Sequence, residues 1–201
     1  MLDLLDYRHK IFELYRDIRA AGDDPAGRVK FQQVKDEIFR THPQSALNDD
    51  QKASFTGLQY YDYDPAYRVT AQVDLNVEPE TLVIELEGDG RFSYRRFGKV
   101  TFTLPTGTGS LSLFWINGYG GGIFLPFGDA TNRQTTYGAG RYLYDTIKGA
   151  DLGATLDSLV LDFNYAYNPS CAYNERWVCP LAPRENRLPF PIPVGEKVFS
   201  G

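Results

Sequence analysis

The chain has 201 residues, 42% of them hydrophobic and 23% charged, a balance that excludes a wholly disordered polypeptide. A domain this long buries about 70% of its extended surface, so it needs no disulfide or metal staple. Its 21 Lys and Arg against 26 Asp and Glu leave a net charge of −5, which argues against a uniformly basic nucleic-acid-binding surface.

The first residues, Met1 to Lys10, lack a basic region followed by an unbroken apolar core, so no signal peptide is expected. Leu4, Tyr7, Ile11, Leu14 and Ile18 recur at spacings of three and four, which builds one apolar stripe on a helix. After the Gly22-Asp23 break, Asp24 precedes Pro25 as an N-cap before a first-turn proline, where the missing N–H costs nothing. Phe31, Val34 and Ile38 continue a second stripe, and Pro43 disfavours helical geometry at His42. Residues 1–41 are therefore expected to form a helical pair, joined by a linker over 42–54 to a β domain over 55–201.

From Ser54 the period changes to two. Val69, Ala71, Val73 and Leu75 fall on one face of a strand over 67–75. Residues 81–86 form a second strand, ended by Gly88-Asp89-Gly90, with a return over 91–96. Residues 99–104 alternate again before a Pro105-Thr106-Gly107 turn. Strands over 110–116 and 122–127 flank Asn117-Gly118-Tyr119-Gly120-Gly121, a hairpin signal. Further strands fit 141–144 and 158–165. Closely spaced strands with short turns predict a mainly β fold, an antiparallel β-barrel or sandwich with an N-terminal two-helix extension. After Asn168 the chain becomes a long Pro-rich loop. No run of about 18 apolar residues is present, so no membrane span is expected. A cytoplasmic protein follows, with Cys171 and Cys179 reduced.

Polar residues of the second half gather in three passages. The first is Phe127-Gly128-Asp129-Ala130-Thr131-Asn132 with Thr136-Tyr137-Gly138-Ala139-Gly140-Arg141-Tyr142. The second is Leu161-Asp162-Phe163-Asn164-Tyr165-Ala166-Tyr167-Asn168-Pro169, and the third runs from Cys171 through Cys179-Pro180-Leu181 to Glu185-Asn186-Arg187-Leu188-Pro189. Strand alternation puts Asp162 and Asn164 on one face, toward solvent, a barrel lumen or a covering loop, and Leu161, Phe163 and Tyr165 on the other. With Phe55-Thr56-Gly57-Leu58-Gln59-Tyr60-Tyr61 and Tyr67-Arg68-Val69, these passages resemble the family catalogued as domain of unknown function 1684, over about residues 55 to 197. The resemblance implies the family's fold and no established reaction. Longer members carry an additional region before this point; here the helical pair takes its place.

Arg141 with Asp129 or Asp162 reads either as a fork for a ligand carboxylate or phosphate, or as a buried ion pair tying a loop to a strand. Gly138-Ala139-Gly140 matches neither a P-loop nor a dinucleotide fingerprint. Cys171 and Cys179 read as packing thiols or a local disulfide under oxidation; a Cys–His dyad with His42 or a zinc site has no support in the spacing. Asp162 with Asp129 or Glu185 could pair for acid–base work if burial separates their pKa values. Asn164, Asn168 and Asn186 suit ligand hydrogen bonding or turn capping. The tyrosines of 60–67 suit an aromatic platform or packing beside the core. The expectation is a polar pocket for a small, anionic ligand, contacted by Asp129, Asn132, Tyr137, Asn164, Asn168, Cys171, Cys179, Glu185 and Asn186, with no cofactor and no metal. An enzymatic reading is hydrolase-like, with Asp162 as general base and Arg141 stabilising developing negative charge. The competing reading is a structural or protein-interaction domain whose polar network locks the C-terminal loop.

Overall fold

A computed structural model describes residues 1–86 and 90–200. The turn expected at Gly88-Asp89-Gly90 falls mainly outside the described residues. Helix α1 (Leu2–Ala21) buries Ile11, Leu14, Tyr15 and Ile18, and helix α2 (Pro25–Thr41) buries Phe31, Ile38 and Phe39 together with Arg28 and Lys35. The Asp24 side chain accepts the Ala26 N–H at 2.8 Å, the expected N-cap before proline. The 42–54 segment carries a short third helix, α3 (Asp49–Ser54), started by a capping box: Asn48 Oδ1 accepts the Gln51 N–H, and Gln51 Oε1 accepts the Asn48 N–H.

Seven strands follow: β1 (Arg68–Asp74), β2 (Thr81–Leu86), β3 (Gly90–Leu104), β4 (Gly107–Ile116), β5 (Gly122–Phe127), β6 (Arg141–Asp145) and β7 (Ser158–Asp162). Every pairing is antiparallel, in the order β6-β5-β4-β3-β1-β7, with β2 also beside β3. β3 is long because it serves three partners, and its register with β4 shifts between Arg96 and Gly98, where such an irregularity sharpens the twist. The Asn117–Gly121 hairpin joins β4 to β5 as expected.

The antiparallel sheet curls into a half-barrel beneath the N-terminal helices. The chain leaving β7 returns to the free edge of β6 through the Tyr142–Tyr167 bridge, whose two N–H groups each donate to the other's carbonyl at 2.8 and 3.0 Å. The expected strand over 158–165 stops at Asp162. There Asp162 Oδ1 accepts the Asn164 N–H at 3.1 Å, and this local bond turns residues Phe163–Tyr165 into a 3-10 turn. The strict alternation predicted for Asp162 and Asn164 is lost, and all residues from Leu161 to Ala166 are buried.

The main core lies between the helix pair and the concave sheet, where Ile11, Leu14, Phe31 and Ile38 meet Leu111, Leu113, Phe127 and Phe163. Phe31 sits at its centre, edge-on to Tyr15, Tyr60 and Tyr165. Tyr60 and Tyr67 thus pack with the core instead of forming an open platform. Among the described residues no helix is long and apolar enough to cross a membrane.

Candidate functional site

Arg141 opens β6 and is fully buried. Gly140 before it has φ 105°, and a Cβ there would lie 2.5 Å from the Phe127 carbonyl oxygen, so only glycine lets β6 start this close to β5. Nη2 of Arg141 donates to Asp129 Oδ2 and to the Ile192 carbonyl, both at 2.9 Å. Nη1 donates to the carbonyls of Val194 and Glu196. Asp129 Oδ1 accepts from the Thr131 N–H and hydroxyl and from the Ile192 N–H. Both terminal nitrogens of the guanidinium are therefore engaged inside the protein, on the segment 192–196.

The other expected site residues divide among separate clusters. Asn132 accepts the Asp129 N–H and donates to Thr136 Oγ1 and the Tyr137 carbonyl, shaping the turn. Asp129 and Asn132, with Arg133, Gly138 and Arg187, line an open cleft of about 480 Å³. Asn186 is buried and bonds the Ser112 N–H and carbonyl and the Pro126 carbonyl at 2.8–2.9 Å, holding the Pro-rich segment to β4 and β5. Glu185 accepts from Arg96 at 2.6 Å and from the Ser112 hydroxyl at 2.7 Å, and it makes no pair with Asp162. Asn164 clamps the backbone N–H and carbonyl of Asp64, so the face it shares with Asp162 is covered by a loop.

Asp162 is 2% exposed, and burial pushes its carboxyl up to about 6 against the bonds from Asn164 and the field of Arg68. Oδ1 takes two hydrogen bonds from Asn164; Oδ2 has no hydrogen-bond partner and faces Arg68 Nε at 3.6 Å. Arg141 and Asp162 share no hydrogen-bond partner. His42 is engaged at both ring nitrogens, with Asp6 at 3.0 Å and the Gln44 N–H at 3.0 Å.

A partly open cavity of about 300 Å³ lies elsewhere, between α1, α2, the end of β6 and the loop after Tyr167. Its walls are apolar at Leu4, Ile11, Phe39, Ala46, Ala150 and Val178, and tyrosine-rich at Tyr7, Tyr15, Tyr142, Tyr167 and Tyr173. At its base, Lys35 Nζ donates to Glu196 Oε2 at 3.2 Å, and the ammonium lies 5.0 Å from the Tyr167 ring centroid. Burial pulls the Lys35 amine down, while Glu196 holds it up. Glu196 also accepts from the Asn168 N–H and Nδ2 and from the Tyr173 hydroxyl, so its carboxylate is saturated.

Asn168 Oδ1 is buried without a partner among the described residues, and the phenol rings of Tyr7, Tyr15 and Tyr167 line the cavity beside it. Burial raises all three phenols, so they stay protonated donors at neutral pH. At the rim, Lys148 lies 3.4 Å from Asp145, and Arg8 adds a further cation. Cavity and network together hold three cations, Arg8, Lys35 and Lys148, against the carboxylates Asp145 and Glu196. Of the sequence-predicted site residues, Asn168 and Cys179 line this cavity. Lys35 and Glu196 were missed, although Lys35 lies on the apolar stripe of α2 four residues after Phe31, where a charge is a signal.

The half-barrel with its helical cover and cavity defines a small β domain of one family. Residues 53–197 match the family described as "Protein of unknown function (DUF1684)", and the chain belongs to it. It is also similar to an uncharacterized protein of Haloarcula marismortui solved by solution NMR. The two are 32% identical, with 83% of this chain and 89% of that one covered, at a TM-score of 0.60. No curated protein matches the chain.

Proposed function

We propose that the cavity under α1 and α2 binds a small amphipathic organic anion. The observation that carries this reading is the convergence of polar groups on an otherwise apolar cavity: the tyrosines Tyr7, Tyr15 and Tyr167 and the buried, unpartnered Asn168 Oδ1, beside the Lys35 ammonium. A mostly apolar pocket with a few convergent polar groups favours an occupant that hydrogen-bonds to them. The excess of donors suits the oxygens of a carboxylate, and the wall from Leu4 to Ala150 suits a hydrocarbon or aromatic body. The Asp129–Arg141 pair supports a separate, structural role, fixing the C-terminal segment that delivers Glu196 to the base.

Calorimetric titration with octanoate and 3-phenylpropanoate, beside the neutral octanamide, tests the reading. Binding of the acids, weaker binding of the amide, and loss of both in Ala46→Phe, which fills the cavity, are expected. A ligand at one hundred times its Kd would add about 2.7 kcal/mol of stability. Acids that bind neither wild type nor variant at millimolar concentration, or that bind Ala46→Phe equally well, would refute it.

A further inference from the structure

The loop after Asn168 forms one wall of the cavity and carries both cysteines, each half-buried. The Cys171 N–H donates to Cys179 Sγ at 3.3 Å, and the Tyr137 hydroxyl lies 3.7 Å from Cys171 Sγ. Neither thiol is needed for the binding proposed above, and a pair this close is poised for chemistry that a packing thiol lacks. We propose that Cys171 and Cys179 form a redox-active dithiol, in which Cys171 reacts with small hydroperoxides and Cys179 resolves the product to an intramolecular disulfide.

The environment assigns the two roles. The neighbouring Cys179 thiol pulls the Cys171 thiol down to about 6, with the Tyr137 hydroxyl adding to the effect and burial opposing it. The same neighbour and burial push Cys179 up; with the Tyr137 hydroxyl beside Cys171 Sγ at 3.7 Å, Cys171 is the thiolate and Cys179 the proton-bearing partner. The titratable and charged groups that face the pair are Tyr137, Tyr142 and Lys148. The Cys171 thiolate attacks the distal oxygen of the hydroperoxide and forms an S–O bond. The O–O bond breaks, and the alkoxide leaves as an alcohol after taking a proton from water. Cys179 then loses its proton and attacks the Cys171 sulfur. The S–S bond forms as the S–O bond breaks, and hydroxide leaves as water with that proton. In sum two thiols lose two electrons and two protons, and the hydroperoxide becomes an alcohol and water. Closing the loop between the cysteines cross-links the wall of the cavity at Cys179, and a small dithiol such as dithiothreitol reverses the step.

Intact-mass measurement of the wild-type protein after one equivalent of hydrogen peroxide is the test. The expected product is a monomer lighter by two hydrogens, restored by dithiothreitol. Cys179→Ser should stop at a sulfenic acid captured by dimedone, and Cys171→Ser should form none. At pH 6 the folded chain should react faster than the same chain unfolded in urea, because the fold holds the Cys171 thiol below its ordinary range. Folded protein that reacts no faster than unfolded, that gains oxygen without losing hydrogen, or that forms only linked dimers would overturn the proposal. The wild-type measurements stand even if a variant fails to fold.

Discussion

Arg141→Met removes a cation whose side chain and carboxylate partner are both 0% exposed. The methionine keeps most of the aliphatic volume, so the loss is electrostatic rather than a cavity. What remains is a buried Asp129 whose Oδ2 has lost its 2.9 Å partner, and three carbonyls, of Ile192, Val194 and Glu196, without their donor. Breaking a buried ion pair by removing one partner costs about 3–5 kcal/mol. For a chain of this size that lowers the melting temperature by roughly 6–20 °C. Urea unfolding followed by the fluorescence of Trp115 and Trp177, with thermal melting by circular dichroism, measures the cost. The double variant with Asp129→Leu should recover part of the loss, because no unpaired charge is then buried. A change under about 1 kcal/mol in the single variant, or none recovered in the double, would refute the view of Arg141 as an internal clamp.

Two further outcomes follow from buried polar groups. Because burial holds the Asp162 carboxyl at about 6 against an ordinary 3.8, the folded chain binds that proton more tightly than the unfolded one. Its contribution to stability is therefore greatest below about pH 4 and is lost as pH rises through about 6. The gap corresponds to about 3 kcal/mol, so Asp162→Asn should gain on wild type by roughly that amount between about pH 4 and pH 7 in urea titrations; a difference flat with pH would contradict it. Asn186→Leu leaves the Ser112 N–H and the carbonyls of Ser112 and Pro126 unpaired in the core, and should cost about 2–4 kcal/mol by chemical denaturation. Stability within about 0.5 kcal/mol of wild type would show these groups find other partners.

Much of the fold is legible because local patterns agree with tertiary packing. The stripe at Ile11, Leu14 and Ile18, the Asp24-Pro25 cap and the Asn117–Gly121 hairpin each act over a few residues. The strand end at Asp162 is a local competition that alternation misses: an Asx bond to Asn164 outweighs continued pairing. The role of Arg141 is hidden because the carbonyls it binds lie about fifty residues further on. The cavity is hidden for the same reason. Tyr7, Tyr15, Lys35, Tyr167 and Asn168 converge only when α1 and α2 fold across the sheet, and Lys35 and Glu196 meet across 161 residues of chain. Of the residues that continue the stripe of α1, Leu4 lines this cavity, and Tyr7 lines it while packing against the core.

Nuclear magnetic resonance titration of the wild-type chain with octanoate tests the binding reading most directly, with tyrosine rings and asparagine side-chain amides as reporters. The account predicts saturable shifts at Tyr7, Tyr15, Tyr167 and the Asn168 amide, and intermolecular contacts from the alkyl chain to Ile11 and Ala150. Shifts confined to the cleft around Arg133 and Arg187, or none at millimolar octanoate, would contradict it.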